Sequence, residues 1–252
     1  MHGDLAYWLA ASIAVILIGL SKGGFSGIST MSVPLFALVE SPVRAAAILL
    51  PILVVQDWVC VWAFRRDFSS RNLAILLPSA AVGVGVGWAL ADAVKEAWVL
   101  LAVGVISVVF AVFMMLPKHL RSPGSARPKI LPGFVWGSIA GFTSMISHSG
   151  APPFLVYTMP QGLSPKTLAG TAALFFATVN LLKVPPYFLL GQFSADNLRV
   201  SAMLLPLAVA STLAGVWLVR RISHEKFYGA IIAVTLVIGL KLVWDAAHVL
   251  AQ

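Results

Sequence analysis

Two polar clusters interrupt an otherwise apolar chain, and any chemistry must start from them. The first is Ser21-Lys22-Gly23-Gly24-Phe25-Ser26-Gly27, followed by Ser29 and Thr30. Glycines let the backbone come close to a ligand and leave amide groups free. A helix beginning just after such a turn points its N–H groups and positive dipole end at that ligand. Lys22 adds a full positive charge, and Ser21, Ser26, Ser29 and Thr30 add hydroxyl donors. The collection suits an oxyanion. The plainer alternative is a tight turn whose lysine snorkels to a membrane interface. A nucleotide-binding loop is excluded, because the Gly-x4-Gly-Lys-Ser/Thr spacing and a preceding strand are both missing.

The second cluster runs Ser144-Met145-Ile146-Ser147-His148-Ser149-Gly150-Ala151-Pro152-Pro153. Prolines in the first turn of a returning helix preset it and give up only donors that were unpaired anyway. Ser147, His148, Ser149 and Gly150 are candidate substrate contacts. His148 either binds an anion as imidazolium or passes a proton. A serine–histidine pair invites a hydrolase reading, but no acid is near in sequence and no Gly-x-Ser-x-Gly elbow exists. The chain is expected to be neither an enzyme nor dependent on a metal or cofactor.

Ionisable residues within apolar runs are the third signal, since each is costly in a bilayer. Asp57 lies beside Gln56 in the run 43–64. Lys183 lies in the run 165–190, close to one helical turn after Asn180, so the two share a face. Two readings stand. Asp57 and Lys183 neutralise each other structurally, or Lys183 with Asn180 draws in an anion while Asp57 relays a proton. Lys241 and Asp245, four apart near the end of the last run, read as an interfacial pair.

The elements that position these residues follow from composition. Of the residues, 60% are hydrophobic and 10% charged, against about half and a quarter in soluble domains. Spanning roughly 30 Å of hydrocarbon takes about 20 apolar residues. Six segments qualify: 43–64, 72–91, 97–116, 165–190, 197–219 and 227–250. Two more regions, 5–39 and 131–160, are apolar but broken by the two clusters. The run 5–20 has no basic n-region or convincing cleavage site, so it reads as part of the mature chain. Cys60 is the single cysteine and says nothing about compartment. The net charge of +8 is spread over short loops, which argues against nucleic acid and for basic cytoplasmic loops.

A weak internal repeat organises the chain. Ser41-Pro42 matches Ser164-Pro165 at an offset of 123 residues, which sets Asp57 opposite Asn180. Phe68-Ser69, Asn72-Leu73 and Pro78 match Phe193-Ser194, Asn197-Leu198 and Pro206. The basic loops 65–71, 118–129 and 220–226 share one side only if 131–160 enters the membrane and returns. The predicted fold is an all-α polytopic membrane protein of two inverted repeats, each a broken helical hairpin plus three transmembrane helices. The halves are 1–116 and 131–252, joined by a basic cytoplasmic linker at 117–130, with both termini outside. Eight simple spans in two parallel halves is the rival arrangement.

The two tips, Gly19-Leu20-Ser21-Lys22-Gly23-Gly24-Phe25-Ser26-Gly27 with Pro34 and the Ser144–Pro153 cluster, resemble the TauE/SafE sulfite-exporter family. The likeness runs over nearly the whole chain. It implies a secondary transporter, as an exporter, for a small sulfur-containing anion such as sulfite, thiosulfate or an organosulfonate across the bacterial inner membrane. Many second halves in the family have a Gly-rich tip, where this chain has Ser-His-Ser-Gly-Ala-Pro-Pro. The expected mechanism is alternating access around one anion held between the tips. An anion channel and a membrane-embedded enzyme are the other classes, and a homodimer is compatible with the sequence.

Overall fold

The computed structural model describes residues 5–22, 29, 32–36, 38–91, 93, 95–116, 127–221 and 223–250. Gly23, Gly24, Ser26 and Gly27 of the first tip lie outside the described residues, as does most of the 117–130 linker. Ten α-helices occur among the described residues: α1 (Leu5–Lys22), α2 (Ser32–Phe36), α3 (Pro42–Phe64), α4 (Ser70–Ala89), α5 (Glu96–Met115), α6 (Ile130–Ser147), α7 (Ala151–Thr158), α8 (Pro165–Leu189), α9 (Ala195–Arg221) and α10 (His224–Leu250). Eight of them are long and apolar enough to cross a membrane; α2 and α7 are the two short ones. The chain is a multi-pass membrane protein.

The repeat seen in the sequence marks matching helix starts. Ser41 and Ser164 each cap a helix that opens on proline, accepting from Arg44 N at 3.3 Å and Thr167 N at 3.1 Å. Ser69 and Ser194 accept from Asn72 N and Asn197 N in the same way. Such caps satisfy amides that a helix start otherwise leaves bare. Pro78 and Pro206 lie inside the two helices that follow. Packing is reciprocal: α1 rests on α9, α6 rests on α4, α3 meets α8, and α5 meets α10.

Side-chain bonds fix the helix directions. Arg44 Nε donates to Asn197 Oδ1 at 2.9 Å, and Ser201 Oγ to Ile48 O at 2.7 Å. Further along, Gln56 Nε2 donates to Val15 O at 3.4 Å and Ala208 O at 3.2 Å. Helices α1, α3 and α9 therefore run together. Helices α4 and α6 also run together, with Ser79 bonded to Gly133 O and to Ser138, and Gly141 on Ala80. A Cβ at Gly141 would strike the Ala80 carbonyl oxygen. In lipid, apolar surface gives helices little reason to associate, so close approach at small residues must do so.

Both hairpins leave one end of the bundle and return to it. Tyr157 Oη, at the end of α7, donates to Lys129 O at the start of α6 at 3.1 Å. Gly150 sits against Ala140, midway along α6, so α7 begins near mid-depth. In the first hairpin the Phe36 ring at the end of α2 lies 5.3 Å from the Tyr7 ring near the start of α1. Ser69 N donates to Thr171 Oγ1, Arg220 to Ala63 O, and Tyr228 Oη to Leu163 O. These contacts put Arg65, Arg66, Arg71, Arg127, Lys129, Lys166, Arg220, Arg221 and Lys226 at one end of the bundle. Arg44, Lys95, Arg199 and Lys241 belong to the other end, where Lys241 pairs with Asp245. Trp58, Trp62, Trp88, Trp98 and Trp244 are all exposed on the outer surface, as expected of side chains that meet lipid headgroups.

Candidate functional site

Irregular backbone survives at membrane depth only where it is buried in protein or lines a cavity. The second tip obeys this rule. His148 ends α6 in the left-handed region, at φ 52°. That conformation is uncommon outside glycine, though histidine is among the residues enriched there. The turn is pinned by His148 N donating to Ser144 O and Ser149 N donating to Thr143 O, both at 3.2 Å. Gly150 has no room for a Cβ, with Ala140 O only 2.7 Å from where one would stand. Pro152 and Pro153 then start α7, whose positive end faces inward.

A cavity lies between the two hairpins and the middles of α3 and α8. Its polar lining among the described residues is Ser21, Lys22, Ser29, Ser32, Ser144, His148 and Asn180. The apolar wall includes Ile18, Val33, Leu49, Leu53 and Phe176. The room inside is about 40 Å³ of positions open to a water centre. One water needs roughly 10–15 Å³ on that measure, so the space suits one small oxyanion.

Two cations converge here. Lys22 forms an ion pair with Asp57 Oδ1, and its Nζ stands 5.4 Å from the Phe176 ring centre, within cation–π range. Asp57 Oδ2 accepts from Asn180 Nδ2 at 2.6 Å, so the two residues that the 123-residue sequence offset sets opposite each other are in contact. Lys183 is wholly buried. Its Nζ donates to Ser144 O and Ser144 Oγ, both at 3.2 Å, and to His148 Nδ1 at 2.6 Å. With Lys183 as an ammonium, which has three protons and no acceptor, Nδ1 is the acceptor and the ring proton sits on Nε2. Nε2 faces Ala46 O at 3.4 Å. Lys22 with Asp57 and His148 with Lys183 are each 35 residues apart, one tip-to-helix pair per half.

Asp57 and Lys183 thus form no direct ion pair. Asp57 is taken by Lys22 and Asn180, and Lys183 by the second tip. The snorkelling alternative for Lys22 also fails, since its ammonium is turned inward onto a buried carboxylate. Asp57 is the one buried carboxylate among the described residues. No carboxylate there lies within ion-pair range of Lys183. Two lysines stand against one aspartate at the site. A buried charge without a partner is costly.

Of the residues singled out in the sequence, Ser21, Lys22, His148 and Asn180 line the cavity, while Asp57 and Lys183 stand one bond behind it. The Ser147 and Ser149 hydroxyls are spent on backbone, on Thr143 O and Ser147 O. Gly150 shapes the turn. Ser32 and Phe176 went unnoticed in the sequence. Ser32 Oγ is buried and finds no partner among the described residues. Phe176 could have been found from helical spacing, because it precedes Asn180 by four and shares its face.

No curated protein and no solved structure shows significant similarity to the chain. The family model for the sulfite exporter TauE/SafE matches residues 11–242. Nearly the whole polytopic helical unit, both tips included, is thereby covered, and the chain belongs to the TauE/SafE sulfite-exporter family.

Proposed function

We propose that this protein is a secondary transporter carrying one small sulfur-containing anion across the bacterial inner membrane by alternating access. Sulfite, thiosulfate and organosulfonates are the substrate class, and export is the direction. The observation that carries the reading is two lysines against one carboxylate beside a cavity lined with hydroxyl donors, one of which, Ser32, has no described partner. Charge-assisted hydrogen bonds from Lys22, Ser21, Ser32 and Asn180 are of the strong kind. Lys183 contributes its field from behind Ser144 and His148. Asp57 and His148 are the titratable groups through which proton coupling would run.

In this reading the halves 1–116 and 131–252 are inverted repeats joined by the 117–130 linker. The pseudo-two-fold axis passes between α3 and α8 at Asp57 and Asn180. Placing a binding site at such a repeat interface, near mid-membrane, is the common plan of secondary carriers. With the basic end cytoplasmic, both termini are periplasmic. The test is counterflow of labelled sulfite in proteoliposomes. A carrier exchanges label faster when unlabelled substrate is present on the far side, whereas a channel does not. Lys22→Ala and Lys183→Ala should each slow exchange at least tenfold; full activity in both would remove the proposed site.

A further inference from the structure

We infer that the adjoining ends of α3 and α9 form a seat for an anionic phospholipid, with Arg65, Arg220 and Arg221 on its headgroup. The seat lies on the outer surface and stands independently of the anion-carrier reading. Arg220 brings the two helix ends together. Its Nη2 donates to Ala63 O at 2.9 Å, and its guanidinium stands 5.9 Å from the Phe64 ring centre. Arg65 Nη1 donates to Trp62 O at 2.8 Å. Two guanidiniums thus dock on neighbouring carbonyls at the end of α3, where a helix leaves its last carbonyls bare and its dipole is negative.

That capping role uses one donor from each of these two arginines. A guanidinium has five, in a planar fork that matches a phosphate. Among the described residues none of Arg65, Arg220 and Arg221 is in an ion pair, although Asp67 and Glu225 are close in sequence. Three cations therefore gather at two adjoining helix ends without a described counter-ion. An anion seated among them would relieve their mutual repulsion.

Two tryptophans set the cluster at the level of the lipid headgroups. Trp62 is 68% exposed and Trp217 54%. The Arg65 guanidinium stands 5.4 Å from the Trp62 ring centre, and that of Arg221 4.5 Å from the Trp217 ring centre, both within cation–π range. Indoles favour the membrane–water boundary, so this stacking holds both guanidiniums there instead of letting them reach into water. Basic sites between helices at that depth take anionic headgroups, and bidentate guanidinium–phosphate bonds are of the strong kind. The repeat read in the sequence sharpens the point. At the offset of 123, α8 has Phe188 and Leu189 where α3 is followed by Arg65 and Arg66. The helix matching α9 is α4, and it runs out as Trp88-Ala89-Leu90-Ala91 with no cation. Helix packing by itself thus does not call for arginine at these ends.

The test uses delipidated full-length protein in mild detergent, with bound lipid counted by native mass spectrometry. Phosphatidylglycerol should bind at least tenfold more tightly than phosphatidylcholine, and inorganic phosphate at the same concentration should not displace it. Arg65→Gln with Arg221→Gln should weaken phosphatidylglycerol binding at least tenfold. Arg71→Gln with Lys129→Gln removes the same charge from the same end of the bundle and should change it less than twofold. Arg65→Lys with Arg221→Lys keeps the charge, loses the planar fork, and should still weaken binding at least threefold. Equal binding of the two lipids overturns the inference. So does equal loss in the glutamine pair and its control, which would reduce the effect to diffuse charge. Displacement by inorganic phosphate would make the cluster a phosphate site and not a lipid seat. If the glutamine pair does not fold, the lysine pair and the wild-type preference decide.

Discussion

Replacing Lys183 by methionine removes one charge from the binding site while keeping most of the side-chain volume. Lys183 Nζ is 3.2 Å from Ser144 Oγ, and an anion oxygen accepting from that hydroxyl would lie about 2.8 Å further. The charges are then about 6 Å apart. At an effective dielectric of about 20, their attraction is about 2.8 kcal/mol, or roughly a hundredfold in affinity. The site loses one positive charge, so Lys183→Met should raise the apparent half-saturation for sulfite uptake into proteoliposomes about a hundredfold. Unpairing Ser144 and His148 adds a stability cost of about 1–3 kcal/mol, which thermal unfolding reads separately. Retention of wild-type half-saturation within twofold by a monodisperse Lys183→Met protein refutes the reasoning. Lys183 would then be a structural peg for the second tip and not part of the anion's field.

Three further outcomes follow from the packing and topology. Gly141→Leu drives a side chain into the Ala80 carbonyl on α4 and should destabilise the α4–α6 seam by about 1–3 kcal/mol, seen as a lower unfolding temperature. Tags at residue 93 and residue 123 should report periplasm and cytoplasm respectively; the reverse result inverts the orientation drawn from the basic end. Ser32→Ala removes a buried donor that the described structure leaves without a partner. It should leave thermal stability almost unchanged while weakening anion binding by about tenfold, the worth of one charge-assisted hydrogen bond. An effect on stability alone would make Ser32 a packing residue.

Much of this architecture is legible because lipid imposes simple rules. Run length gives the spans, and Gly, Ser and Pro within an apolar run mark backbone that must face protein or water. Ser41-Pro42 and Ser164-Pro165 are local capping signals, so they revealed the repeat directly. The enter-and-return path of 131–160 was forced by the sidedness of the basic loops, and the Tyr157–Lys129 contact agrees with it. Partner choice was not legible. Asp57 sits at the right depth for either Lys22 or Lys183, and only the close approach of α1 to α3 decides for Lys22. Ser147 and Ser149 looked equivalent to Ser144 in sequence. Ser147 Oγ turns back onto Thr143 O within α6, and Ser149 Oγ, just past the left-handed turn at His148, bonds Ser147 O, while Ser144 faces the cavity.

The contact between Asp57 and Asn180 offers a test of the proposed symmetry. The two residues are 123 apart and share a hydrogen bond at 2.6 Å, the relation expected of equivalent positions beside a pseudo-two-fold axis. Asn180→Asp alone brings two carboxylates into contact, and Asp57→Asn alone strips Lys22 of its ion-pair partner, so each should raise the half-saturation for sulfite counterflow at least tenfold. The double exchange, Asp57→Asn with Asn180→Asp, keeps one carboxylate and moves it from α3 to α8. Recovery of the wild-type half-saturation by the double variant supports the symmetric reading. If the double variant behaves as the sum of the two singles, with no recovery, the carboxylate must stay on α3 as the specific partner of Lys22, and the near-symmetry of the site has no part in how it holds its ligand.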